Sequence, residues 1–303
     1  MSGQNSREIH WLLIPIFLVI WSSAFAIARV ALEHAAPLWM LSLRFAIAAA
    51  LAAILAWLLR EARPAWRDIL ALTVIGIVNH TLYLGLSYIG MREVSAGLTA
   101  VIVSANPVLT AVLAAVLLNE RMTLPRAGGL LFGAFGVALI LQHRVDIGTE
   151  HWTDFLWPLG ALAALSGGAI LFKRLGRSQD GFSALAVQLA AAATAALLPA
   201  LLLEDSPAIV DLPQAFWLSI LFQAVLASVG AYAIWFHLLQ QVGASAASAW
   251  HFLIPPLGIL FGVLMLNESV IWMDLIGIGP VVVGIWLANR STGRGSRRHY
   301  RHQ

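Results

Sequence analysis

The run Pro107-Val108-Leu109-Thr110-Ala111-Val112-Leu113-Ala114-Ala115-Val116-Leu117-Leu118-Asn119-Glu120 opens on a proline, stays apolar apart from one threonine, and stops at an Asn-Glu pair. A second run 148 positions further on, from Pro255-Pro256-Leu257 to Leu266-Asn267-Glu268, carries the same punctuation. Two glycines follow each pair at equal offsets, Gly129 and Gly136 after the first, Gly277 and Gly284 after the second. Superposed without a gap, Val94–Gln142 and Val242–Arg290 share 10 of 49 residues. Identity alone is a weak signal in so Leu- and Ala-rich a chain, so the weight falls on the proline, Asn-Glu and glycine landmarks. An internal repeat in an apolar chain points to two similar halves, residues 1–150 and 151–303, joined in one membrane unit.

Composition sets the solvent. The 303 residues are 60% hydrophobic and 11% charged, with a mean hydropathy of +0.84. A water-soluble fold of that length needs a more polar exterior. Twelve Trp supply rings that collect at membrane interfaces. There is no Cys, which excludes disulfides, thiolate zinc sites and thiol catalysis. Among 18 basic residues Lys173 is the only lysine. Five arginines from Arg290 to Arg301 lie in a Gly/Ser-rich tail. That tail is expected to rest on anionic lipid headgroups, not on nucleic acid.

A spanning helix needs roughly 20 mostly apolar residues. Charge clusters and Gly/Pro/Asn breaks divide the chain into ten such stretches: Trp11–Leu32, Leu38–Leu59, Ile69–Ile89, Ser95–Leu118, Arg126–Gln142, Phe155–Phe172, Phe182–Leu203, Gln214–Leu239, Ala244–Leu266 and Ile271–Asn289. The expected fold is an all-α integral membrane protein of ten transmembrane helices. With both termini inside, 14 basic residues fall on inner connections and 3 (Arg29, Arg92, Arg144) on outer ones, while Arg44 lies within a span. That asymmetry orients both ends to the cytoplasm of a cell (inner) membrane. Five spans per half is odd, so the second half enters upside down and the repeats are inverted. Arg7, the apolar run Trp11–Ile20 and Ala24-Phe25-Ala26 also resemble a cleavable leader. Apolar sequence continuing through Ala31 favours a first span instead.

No Asp, Glu, Lys or Arg sits at the centre of a span, which argues against a carboxylate-driven exchanger of organic cations. The candidates for contact with a solute are therefore neutral. Asn79, Tyr83 and Ser87 fall on one face of the third span, with His80 beside them. Thr99, Val103, Asn106 and Thr110 form a stripe on the fourth. Ser228, Tyr232 and Trp235 align on the eighth, with Gln223 about a turn deeper. Ser248 and His251 share a face of the ninth beside Trp250. Trp21-Ser22-Ser23 in the first span matches Ser166-Gly167-Gly168 in the sixth. Hydrogen bonding between helices is the competing role for the Ser and Thr members.

Pro107 and the pair Pro255-Pro256 sit mid-span, where each proline frees a carbonyl, at Val103, His251 and Phe252. The fourth and ninth helices should therefore bend. Arg44, about two turns from its helix end, is expected to snorkel to the outer interface or bond helix-end carbonyls. Binding a substrate carboxylate is the sharper alternative. Glu120 and Glu268 are expected to hold the tight turn to the next helix.

These landmarks resemble the EamA-type members of the drug/metabolite transporter superfamily. The likeness rests on Trp21-Ser22-Ser23-Ala24-Phe25, Pro37, Arg44, and Pro107…Asn119-Glu120 repeated as Pro255…Asn267-Glu268, and it covers the whole chain in two units. Ser22 stands where the family often has Gly. The resemblance implies ten helices, a central cavity between the halves, and export of amino acids or similar metabolites. Trp21, Tyr83, Tyr232 and Trp250 make the chain most like the aromatic amino-acid exporter branch.

The expected substrate-binding set is Trp21, Ser22, Asn79, His80, Tyr83, Asn106, Ser166, Tyr232, Trp250 and His251, with no cofactor, metal or catalytic residue. The expected partners are a small-molecule solute and the bilayer. A membrane enzyme is the alternative, built on His80 and His251. The chain has no His-Glu-x-x-His and no Gly-x-Ser-x-Gly, and two His without a carboxylate make a poor metal site. Lys173, at a helix end, is misplaced for a retinal Schiff base. Energy coupling rests on His80, His237 and His251, or on the solute gradient alone.

Overall fold

The computed structural model describes residues 2–119, 124–146, 151–175, 181–234, 237, 254–270 and 272–290. Among these there are helices and no strands. The helices are α1 (Ser2–Leu32), α2 (Pro37–Leu58), α3 (Trp66–Gly90), α4 (Ala96–Leu117), α5 (Leu124–Asp146), α6 (Trp152–Leu175), α7 (Phe182–Leu203), α8 (Gln214–Ile234), α9 (Ile254–Leu266) and α10 (Trp272–Arg290). Seven helical stretches, in α1–α4 and α6–α8, are long and apolar enough to cross a bilayer, and shorter apolar stretches lie in α5, α9 and α10. Leucines, isoleucines and tryptophans cover the outside, among them Trp57, Leu202, Leu264 and Ile276. An exterior of that kind is solvated by lipid, so this is a multi-pass membrane protein.

Small residues decide which helices touch. Ala48, Ala52 and Ala56 on α2 and Ala192, Ala196 and Ala200 on α7 are buried ridges at fourfold spacing, and α2 packs along α7. The ends of this pair hold each other. Glu61, just after α2, accepts the Ser183 N–H of α7 at 2.8 Å. Glu204, just after α7, accepts the N–H groups of Leu38 and Trp39 at 3.1 Å. Each carboxylate meets the donor-rich end of the partner helix, so the two run antiparallel.

The glycine landmarks have the same logic. A Cβ on Gly136 would strike the Gly277 carbonyl and the Val281 backbone. A Cβ on Gly284 would strike the Gly129 carbonyl and the Gly133 backbone. The two contacts are counterparts at the 148-residue offset, and they bring α5 and α10 into backbone contact. Helices α4 and α9 close similarly through Gly97, Ala100, Gly258 and Gly262.

Asn119 and Asn267 both take the left-handed conformation at φ 53. Asparagine tolerates that region better than most residues, so each ends its helix and redirects the chain. Glu268 does more than close its own turn, contrary to the expectation for it. Its carboxylate accepts the Ala96 N–H at 2.6 Å and the Gly97 N–H at 3.0 Å, capping α4 from the other half of the sequence. Glu120 lies outside the described residues. Arg174 at the end of α6 donates to the Leu117 carbonyl at the end of α4, a cation on a helix C-terminus.

Helix α4 breaks at Ser104 and Ala105, and Pro107 stands in the first turn of the segment that resumes at Asn106. Pro255 and Pro256 occupy the first turn described of α9. Two helices widen into π turns, α3 over Ile77–Leu82 and α8 over Phe222–Gly230.

Candidate functional site

The two π stretches and the α4 break converge on one cavity of about 400 Å³. Helices α1, α2, α3, α4, α6, α7 and α8 all contribute to its wall. A π turn places an extra residue in the helical repeat and re-aims its side chains, and such turns gather at functional sites. Here they present Asn79 and His80 from α3 and Ala227 and Ser228 from α8. Thr81, in the first of these stretches, donates to the Ala192 carbonyl at 2.9 Å and ties it to α7. Gly76, just before it, lies against the Gln188 backbone, which sets Gln188 on the wall.

Of the expected residues, Trp21, Asn79, His80, Tyr83, Asn106 and Tyr232 line this cavity together. Ser22 and Ser166 are fully buried but are not on its wall. Ser166 faces α4 and donates to Asn106 Oδ1 at 2.9 Å, so its hydroxyl is used within the protein. Ser22 Oγ has no hydrogen-bond partner among the described residues. Trp250 and His251 lie outside the described residues, as do Trp235 and the tail beyond Arg290.

Asn106 Oδ1 also accepts from Thr110 Oγ1 at 3.0 Å. With both donors on the oxygen, the Nδ2 group is the part left for the cavity. Asn79 reaches toward α6 because Gly168 has no side chain: a Cβ there would overlap the Asn79 amide. His80 stacks edge-on against Phe45, with ring centroids 5.7 Å apart. Trp21 stands 5.4 Å from Phe17 at a tilt of 34°.

Arg44 corrects the sequence reading. It is 5% exposed and lines the cavity, so it does not snorkel. Its Nε donates to Ser228 Oγ at 3.0 Å and its Nη1 to the Tyr88 hydroxyl at 2.5 Å. Tyr88 donates onward to Gln223 Oε1 at 3.4 Å, and Gln223 Nε2 to the Ala24 carbonyl at 2.5 Å. One hydrogen-bonded chain thus links α2, α3, α8 and α1. Tyr88 and Gln188 are wall residues that were missing from the expected set. Their periodicity is that of packed apolar faces, and only the fold shows which of them meet the void.

An all-helical membrane body around a cavity with a few convergent polar groups has the architecture of a solute transporter. The chain belongs to the EamA-like transporter family, which matches it twice, over residues 9–142 and 153–290. It is similar to a probable terminal-alkyne amino-acid exporter of Streptantibioticus cattleyicolor, 29% identical over 95% of each chain. It is also similar to the S-adenosylmethionine/S-adenosylhomocysteine transporter of Chlamydia trachomatis, 28% identical over 89% of this chain and 88% of the relative. A solved crystal structure shares the fold with a TM-score of 0.66 at 19% identity, covering 95% of this chain and 98% of the other.

Proposed function

We propose that this protein exports amino acids or related small neutral or zwitterionic metabolites by alternating access through the central cavity. The observation that carries the reading is the cavity itself: aromatic rings and amides walling about 400 Å³ of space, with helices of both repeats around it. Asn79, His80 and Asn106 hydrogen-bond the polar groups of the solute. Trp21, Tyr83 and Tyr232 form apolar walls and offer cation–π contact to an amine, which suits an aromatic or otherwise apolar side chain. Relatives named for a terminal-alkyne amino acid and for S-adenosylmethionine and S-adenosylhomocysteine fit a solute of this class.

The membrane body is ten spans in two inverted five-helix halves, 1–150 and 151–303, with both termini in the cytoplasm. Support comes from the double family match, the mutual capping of α2 and α7, and the paired glycine contacts of α5 and α10. Rocking of one half against the other would open the cavity to each side in turn.

Purified protein in liposomes is expected to exchange labelled amino acids against unlabelled ones. Tyr83→Ala and Asn79→Ala are expected to reduce that exchange at equal amounts of folded protein. Full exchange by both variants removes these residues from the site, and no exchange of any amino acid removes the substrate class.

A further inference from the structure

Arg44 is a buried cation whose protein partners are neutral. A guanidinium carries five N–H groups. Nε and Nη1 each donate one hydrogen, to Ser228 Oγ and to the Tyr88 hydroxyl. The second Nη1 hydrogen and both Nη2 hydrogens have no acceptor among the described residues. No carboxylate of the described residues forms an ion pair with it. The side chain nevertheless lies within the membrane body, in the wall of the cavity.

A charge in that position is costly unless something compensates it. Two neutral oxygens hold the group in place without cancelling its charge. The planar fork of nitrogens that remains matches the two oxygens of a carboxylate. Tyr83 and His80 line the same void. A guanidinium with three unengaged N–H groups in the wall of a void describes a receptor for an anionic oxygen group.

We propose that Arg44 binds the carboxylate of the solute and makes a carboxylate a requirement for binding in the cavity. The inference rests on the cavity being the solute site. It selects acids and zwitterions, and it rejects amines that lack an acid group, because these would bring a second positive charge beside the guanidinium. Tyr88 and Ser228 act as positioning residues, since they fix the plane of the fork from α3 and α8.

The test uses purified full-length protein in detergent and two isosteric pairs, acetate with acetamide and phenylacetate with phenylacetamide. Binding is read by calorimetry and by shifts in the unfolding temperature. At least one acid is expected to bind about tenfold more tightly than its amide, the size of a charge-assisted contact against a neutral one. In Arg44→Gln that preference is expected to vanish, and in Arg44→Lys to shrink, since the charge stays and the fork is lost. The pairs are first compared on the unaltered protein, so a variant that fails to fold does not remove the test. Equal binding within both pairs, absence of binding included, overturns the proposal, as does an undiminished preference in folded Arg44→Gln. If an acid is preferred while liposomes exchange no amino acid, the anion site stands and the exporter reading falls.

Discussion

Ser166 Oγ donates to Asn106 Oδ1 at 2.9 Å, which joins α6 to the broken turn of α4 at the edge of the cavity. The bond also decides how the Asn106 amide presents itself. Its oxygen is occupied from two sides, by Ser166 and Thr110, and the NH₂ group is the one left for the cavity.

Ser166→Ala is therefore expected to lower exchange several-fold while leaving the fold intact, because a single neutral hydrogen bond contributes only about 1 kcal/mol. Liposome counterflow against the unfolding midpoint of the same preparation checks this. A variant with normal transport would show that the Asn106 orientation is held by Thr110 alone.

Gly167 and Gly168 make an internally controlled pair. A Cβ at Gly168 would overlap the Asn79 amide, whereas one at Gly167 meets nothing within 4 Å. Gly168→Ala should displace Asn79 and raise KM for the exchanged solute several-fold. Gly167→Ala should leave KM unchanged and stabilise the helix by up to about 1 kcal/mol. Equal KM values for the two variants would take Asn79 out of solute contact.

Glu268→Gln removes the charge that caps α4 at Ala96 and Gly97. The expected loss is about 1–2 kcal/mol, the range for a partly buried carboxylate at a helix N-terminus. Chemical or thermal unfolding in detergent measures it. A change below a few tenths would mean that the neutral amide caps as well as the carboxylate does.

Gly136→Leu or Gly284→Leu should separate α5 from α10, since the nearest atom each new Cβ meets is a backbone carbonyl oxygen of the other helix, which cannot swing aside. Overpacking of this kind destabilises by roughly 1–3 kcal/mol or more. Gly128→Leu, where a Cβ meets nothing within 4 Å, is the control. The monodisperse fraction in size-exclusion chromatography is expected to fall for the first two and to hold for the third.

The absence of cysteine makes topology directly testable, because any introduced thiol is the only one present. Arg63→Cys and Tyr300→Cys should both react with an impermeant maleimide from the cytoplasmic face. Labelling from opposite faces would sink the inverted ten-span arrangement.

Helix positions were readable because runs of apolar residues and charged breaks are local signals. The third span, expected over Ile69–Ile89, is observed over Trp66–Gly90, and the sixth, expected over Phe155–Phe172, is observed over Trp152–Leu175. Interfacial Trp66 and Trp152 extend the helices past the apolar window that marks their centres. The glycine and Asn-Glu landmarks were visible as a repeat, yet their roles were not. Glu268 meets Ala96 across 172 positions of sequence, and no local pattern encodes that encounter. Arg44 misled for a similar reason. A charge near a helix end ordinarily reaches for water, and here the partners that hold it inside, Tyr88 and Ser228, come from two other helices. The π turns left no trace in the apolar periodicity, although they decide which residues of α3 and α8 face the void.

The crossed carboxylate clasps at the ends of α2 and α7 bear on how the chain is made. As the ribosome delivers the first half, the amino end of α2 must wait for Glu204, a partner synthesised 166 residues later. Until then its first amides have water as partner in place of the carboxylate. Maturation of the early helices is thereby tied to completion of the late ones, and a truncated product would advertise itself to quality-control proteases. Two separately produced fragments should each be short-lived and survive only when made together.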